Sequence, residues 1–210
     1  PPPPRPPPQE TLAGAVAQRP FLLVTAGFAL AGFVLSALLA QMVPVLTGLG
    51  LGSAALLVST LFGPAQVAVR FVNMIFGIGR HPISVTLFAM AMLPLAVVVL
   101  ALTAPSLAGA VVAAILLGFG SGLKSIVQGT LPLALFGSVA YGTRLGRMAM
   151  ARQFLAAAAP FAMALVVEAA GAATALIVFS FVGLAGVAAF LEVSRMLRAH
   201  AAAKRSAGAA

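Results

Sequence analysis

Two cations stand out in this chain, because each lies inside a long apolar stretch. Around the first, Ser59, Gly63, Gln66, Arg70, Asn73 and Gly77 recur at steps of four and three. That spacing puts them on one face of a helix whose other positions are mostly Leu, Val, Phe, Ile and Ala. The planar fork of Arg70 suits capture of a carboxylate or another anionic group. It could equally bond backbone carbonyls or snorkel inward. Gln66 and Asn73 either complete a binding site or satisfy Arg70 itself. The second cation, Lys124, lies in GFGSGLKSIVQG, Gly118 to Gly129, and shares a face with Ser121 and Gln128. It either snorkels toward the headgroups or lines a cavity as a fixed positive charge. Gly118 and Gly122 form a small-xxx-small pair of the kind that lets two membrane helices approach closely.

Catalytic chemistry finds no footing. Gly120-Ser121-Gly122 has the look of an intramembrane serine nucleophile, but that chemistry needs a histidine on a neighbouring helix. The histidines are His81, in a turn, and His200, in the tail. With no cysteine, no metal-ligand cluster and no phosphate-binding loop, no metal, no cofactor and no enzyme activity is expected. The acids are Glu10, Glu168 and Glu192, none of them placed at mid-membrane.

The elements that must hold these residues follow from composition. Of 210 residues, 62% are hydrophobic and 7% charged, against about half and a quarter in a soluble domain. Mean hydropathy is +1.14. Such a chain has lipid for solvent. A membrane helix takes about 20 mostly apolar residues, and six such spans can be drawn: 21–43, 51–78, 83–103, 107–127, 147–167 and 172–194. The runs are too long and do not alternate, which excludes β-barrel strands. The expected class is an all-α membrane protein with six transmembrane helices. Arg70 then lies roughly 12 Å from the inner end of its span. A cation at that depth costs at least about 2.5–3.5 kcal/mol unless it faces a cavity or partner.

Charge sides the spans. Arg5, Arg19, Arg80, Arg144, Arg147, Arg152, Arg195, Arg198, Lys204 and Arg205 fall at alternate connections or at the termini, and the intervening turns hold no basic residue. By the positive-inside rule both termini are cytoplasmic, as an even number of spans also requires. The net charge of +9 therefore reads as orientation against an anionic inner leaflet, with no nucleic-acid partner. Residues 1–20, with PPPPRPPP, read as a stiff cytoplasmic linker. Residues 21–197 form the bundle. Residues 198–210 form a basic cytoplasmic tail into which the last helix frays. Thr25, Ala29, Gly32, Ser36 and Ala40 make a packing face on the first span. Pro20 and Pro44 bracket that span, and Pro94 and Pro160 are expected to kink the third and fifth.

On these residues the chain resembles the C-terminal six-helix half of a bacterial major facilitator superfamily transporter. The resemblance runs from about Phe21 to Arg198. It rests on GPAQVAVR (Gly63 to Arg70), the short inner turn Gly77 to Arg80, GTLPLALFG (Gly129 to Gly137) and YGTRLGRMAMARQFLAAAAPF (Tyr141 to Phe161). The last two resemble the long fourth connection and the start of the fifth helix in many members. Related monocarboxylate-type carriers bear an Asp four residues before the arginine; this chain has Gln66 there.

The resemblance implies a secondary carrier in the plasma membrane, the bacterial inner membrane, working by alternating access on a small solute, an organic anion being the candidate. It also implies an N-terminal six-helix half as partner. Helices one, two, four and five would line the path. Arg70 would bind the anionic part of the solute, with Gln66 and Asn73 helping and Lys124 and Ser121 secondary. The alternative from a different class is a membrane scaffold with no transport of its own.

Overall fold

The structure, a computed structural model, describes Leu12, residues 17–76 and residues 81–207. Arg5, Glu10, the PPPPRPPP run and the 77–80 turn lie outside the described residues. The described residues are almost entirely helical, at 93%, and among them five helical stretches, Ala54–Ile75 counted as one, are long and apolar enough to cross a membrane.

Helix α1 spans Gln18–Ala40. Pro20 sits in its first turn, where a missing backbone N–H leaves nothing unpaired. Pro44 does not end the segment. It lies inside a short continuation, α2 (Met42–Leu46), after which the chain turns at Gly50 (φ 93°) and Gly52 (φ 53°). The second apolar segment holds α3 (Ala54–Thr60) and α4 (Phe62–Phe76), which run on through Leu61, itself in helical conformation and bonded to Val58 O and Ala65 N.

Helix α5 (Pro82–Thr103) begins at His81, whose Nδ1 accepts from Ile83 N at 3.2 Å, with Pro82 in the first position. Helix α6 (Leu107–Phe136) begins at Ser106, whose Oγ accepts from Gly109 N. It runs 30 residues, through Pro132. The GTLPLALFG stretch, expected in the connection, is therefore helical to Phe136. The connection shrinks to 137–140, with Gly137 at φ 71° and Ala140 at φ 52°. Helix α7 (Tyr141–Ala207) reverses at Gly171, where φ is 84° and ψ 166°. Helix continues to Ala207, past the point where fraying was expected.

The reversal is visible in what α1 touches. The limb before Gly171 runs parallel to α1: Ser36 Oγ donates to Ala156 O at 2.8 Å, and Gln41 lies by Pro160. The limb after it runs antiparallel. Phe28 meets Phe190 edge-on at 4.9 Å, Phe33 stacks on Phe179 at 5.4 Å, and Arg19 reaches Glu192 at 3.8 Å. Helix α6 does the corresponding thing to α4 and α5, and it lies antiparallel to α1, with Phe136 against Phe21 at 5.8 Å. So the chain forms two groups, α1–α5 and α6–α7. The first helix of each packs against the two later members of the other. Helix α5 and the second limb also meet, at Pro94 and Gly183.

In lipid, burying Leu against Leu gains little over leaving it among acyl chains, so close packing must hold such a bundle. Small residues mark every close crossing. A Cβ on Gly27 would fall 2.5 Å from the Phe190 ring, and one on Gly120 would fall 2.8 Å from Leu93 Cδ2. The outer surface carries exposed Leu102, Phe154, Phe161 and Phe181, as lipid contact requires. Helix α4 is the least covered, burying only Ala65 and Val69 among its fully described residues.

Candidate functional site

Gln66 and Ser121, one polar residue from each of the two singled-out helices, meet at the α4–α6 crossing. Gly118 and Gly122 make the close approach expected of them. A Cβ on Gly118 would sit 2.7 Å from Phe62 O, and one on Gly122 would sit 2.6 Å from Gln66 O. That approach brings Gln66 over α6, where its Nε2 donates to Ser121 Oγ at 2.7 Å. Two predicted site residues are thus bonded to each other.

One turn further along α6, Lys124 is only 7% exposed. It does not snorkel out: its Nζ lies 3.7 Å from the place a Cβ on Gly32 of α1 would occupy. Arg152, on the first limb of α7, crosses the same glycine with its Cγ 3.0 Å from that place. Its Nη1 donates to Gln128 Oε1 at 2.7 Å. The absence of a side chain at Gly32 therefore makes room for two cationic side chains at once. Among the described residues neither cation pairs with a carboxylate. Glu192 pairs with Arg19 and Arg195, and Glu168 lies at the far end of the limb, three residues before the reversal.

Ser121, Ser125 and Gln128 follow at steps of four and three, between the glycines that face α4 and the lysine that faces α1. The result is one polar seam: Gln66, Ser121, Lys124, Gln128 and Arg152, with Ser125 exposed beside them. It spans about 10 Å of α6.

Arg70 and Asn73 are not drawn into this network. Arg70 is exposed and Asn73 half-buried, and no hydrogen bond fixes either side chain among the described residues. Both lie on the α4 flank that carries Gln66. Arg152 was missed by sequence reasoning, which placed it with the basic connection after Arg144 and Arg147. Its signal was the step of four through Arg152, Ala156 and Pro160, which is the face turned to Gly32, Ser36 and Gln41.

The motif around Tyr141 instead fastens the end of α6. Tyr141 donates to Gly129 O at 3.0 Å, and Arg144 Nη1 donates to Phe136 O at 2.6 Å while lying over the Phe136 ring. A cation on terminal carbonyls also suits the helix dipole. Ala17, Phe21, Phe136, Arg144 and Arg147 surround an open cleft of about 390 Å³ at that end. No group of three or more metal-ligating side chains occurs among the described residues.

The seam can hold a negative charge and supply hydrogen bonds from Gln, Ser and Arg. No protein family, curated protein or solved structure matches the chain.

Proposed function

We propose that the chain is the C-terminal six-helix half of a secondary carrier of the major facilitator type. It moves a small anionic solute across the bacterial inner membrane by alternating access. The observation that carries this reading is the polar seam. Five polar or cationic side chains run along the inside of apolar helices, and the neighbouring flank of α4 presents Arg70, unbonded among the described residues. Intramembrane cations of this kind mark solute pathways.

Two further features support it. Counting the reversal at Gly171, the chain makes six passes. The two groups of three pack by exchange around antiparallel α1 and α6, the arrangement expected of inverted repeats. The exposed face of α4 then meets an N-terminal six-helix half, and a solute sits between the halves. Gln66 and Ser121 orient it, Lys124 attracts it, and Arg70 and Asn73 close on it from α4.

The test is uptake and efflux of small organic anions by cells expressing the reading frame that contains this chain. Arg70→Ala is expected to abolish transport, and Arg70→Lys to keep part of it, because the fork is lost and the charge kept. Transport undiminished in Arg70→Ala would remove Arg70 from the site.

A further inference from the structure

We propose that Lys124, Arg152 and Gln128 form a seat for a small dianionic group, and that this seat, more than Arg70, selects the solute. The inference rests on the transport reading for its biological use, but the seat itself can be tested without transport.

The geometry is specific. Lys124 comes from α6 and Arg152 from α7, and both press against Gly32 of α1, so three helices must assemble before the pair exists. Arg152 is oriented by its bond to Gln128. Lys124 is more than nine-tenths buried and has no hydrogen-bond or ion-pair partner among the described residues. Two like-charged side chains packed on one glycine inside apolar helices repel, and the buried lysine has lost hydration. Arrangements like this are usually neutralised by acids, and the described carboxylates are elsewhere, Glu192 engaged with Arg19 and Arg195.

A dianion answers both charges together. One oxyanion edge takes the remaining donors of the guanidinium side by side. A second charge takes the ammonium. The hydroxyl of Ser125 and the bonded pair Gln66–Ser121 lie along the same seam for the rest of the molecule. Two chemistries offer such charge, a phosphate monoester and a short dicarboxylate. They share the seat and differ in the spacing of their charges. A monocarboxylate leaves one cation unanswered.

The experiment is ligand-induced stabilisation, in detergent, of the purified product of the full reading frame that contains this chain. The melt is read by far-UV circular dichroism, since this chain is helical and has no Trp or Cys for optical labels. The probes are inorganic phosphate, glycerol phosphate, succinate and acetate at constant ionic strength. A dianion is expected to raise the melting temperature saturably and acetate not to; the better of phosphate and succinate identifies the charge spacing.

Lys124→Met should have opposite effects on the empty and loaded chain. Removing one of two repelling charges raises the empty melting temperature, while dianion affinity falls by about tenfold or more. Lys124→Arg restores most of that affinity. Arg152→Gln lowers it likewise, with retained helicity checking that each variant folds. Equal stabilisation by acetate and succinate, or undiminished succinate and phosphate affinity in both Lys124→Met and Arg152→Gln, would overturn the seat. Transport that persists in those two variants would overturn the seat while leaving the carrier reading intact. Dianion binding by a protein that transports nothing would overturn the carrier reading alone.

Discussion

Adding one methyl group at Gly122 should separate α4 from the bundle. A Cβ there would stand 2.6 Å from Gln66 O, and the neighbouring crossing at Gly118 is equally tight, 2.7 Å to Phe62 O. An ordinary carbon–oxygen contact is nearer 3.3 Å, so α4 must back away by about 0.7 Å. Val69 Cγ1 stands still nearer and can turn away, but Gln66 O belongs to the α4 backbone, so no rotamer change relieves that contact. The same displacement stretches the 2.7 Å bond between Gln66 and Ser121 to about 3.4 Å, past useful length. Overpacking costs about 1–3 kcal/mol, and a lost hydrogen bond adds about 1 kcal/mol. Gly122→Ala should therefore destabilise by about 2–4 kcal/mol. Helix α4 has little else to hold it, since Ala65 and Val69 are its buried positions. The assay is a far-UV melt combined with cross-linking of a Gln66→Cys, Ser121→Cys pair by a short bifunctional thiol reagent. The absence of native cysteine makes the background clean. Gly122→Ala should lower the midpoint by several degrees and slow cross-linking. An unchanged midpoint with an unchanged cross-linking rate would refute the argument that this glycine sets the α4–α6 distance.

Gly171→Ala should cost about 1–3 kcal/mol through the backbone alone, because φ 84° with ψ 166° suits only glycine, and nothing stands within 4 Å of the new methyl group. Gly171→Asn should give no rescue, since asparagine tolerates positive φ at ψ near 45° but not at 166°; a melt within 0.5 kcal/mol of the parent, an arbitrary bound of about experimental error, would refute the strain. For orientation, a membrane-impermeant maleimide should label Ser106→Cys in intact cells and Ser138→Cys only after permeabilisation, both sites being exposed in turns. Labelling of both from one side would overturn the alternation of charged and uncharged connections.

The apolar segments were legible because charge is scarce and concentrated between them. Their ends were less so. Pro44 read as a span end and Pro132 fell in the expected fourth connection, yet both lie in helix, because in a membrane bundle neighbouring helices and lipid tolerate a proline that water would not. Gly171 was legible as a turn, being the one glycine in a run of small residues after Glu168. Gln66, Ser121 and Lys124 were legible as a polar face on each helix, and the structure gathers them. The faces did not say which helix answers which, so the Gln66–Ser121 bond and the entry of Arg152 could not be read. Arg152 follows Arg144 and Arg147 closely enough to look like part of a cytoplasmic cluster. Only the parallel run of the first α7 limb beside α1 carries it inward to Gly32.

The exchange packing restricts how such a seam could open. The seam draws side chains from α4, α6 and α7 and its floor from α1, so it crosses both groups of three helices. Sliding one group against the other would break the Gln66–Ser121 and Ser36–Ala156 bonds. It would also drive side chains into the glycines at Gly27, Gly118, Gly120 and Gly122, where there is no spare space. Close-packed interfaces of this kind shift as units and do not deform continuously. The face with room to move is the other one, where α3 and α4 expose Leu56, Leu57, Val67, Phe71 and Arg70. On the proposed carrier reading, motion that exposes the seam first to one side of the membrane and then to the other takes place at that face, against the proposed partner half, with these helices turning as one body. Cross-links that join the two groups away from the seam, as at Phe33 and Phe179, should then leave transport intact, whereas links from α4 to the facing half should arrest it. The opposite result would place the moving joint inside this bundle, and would require the glycine crossings to part.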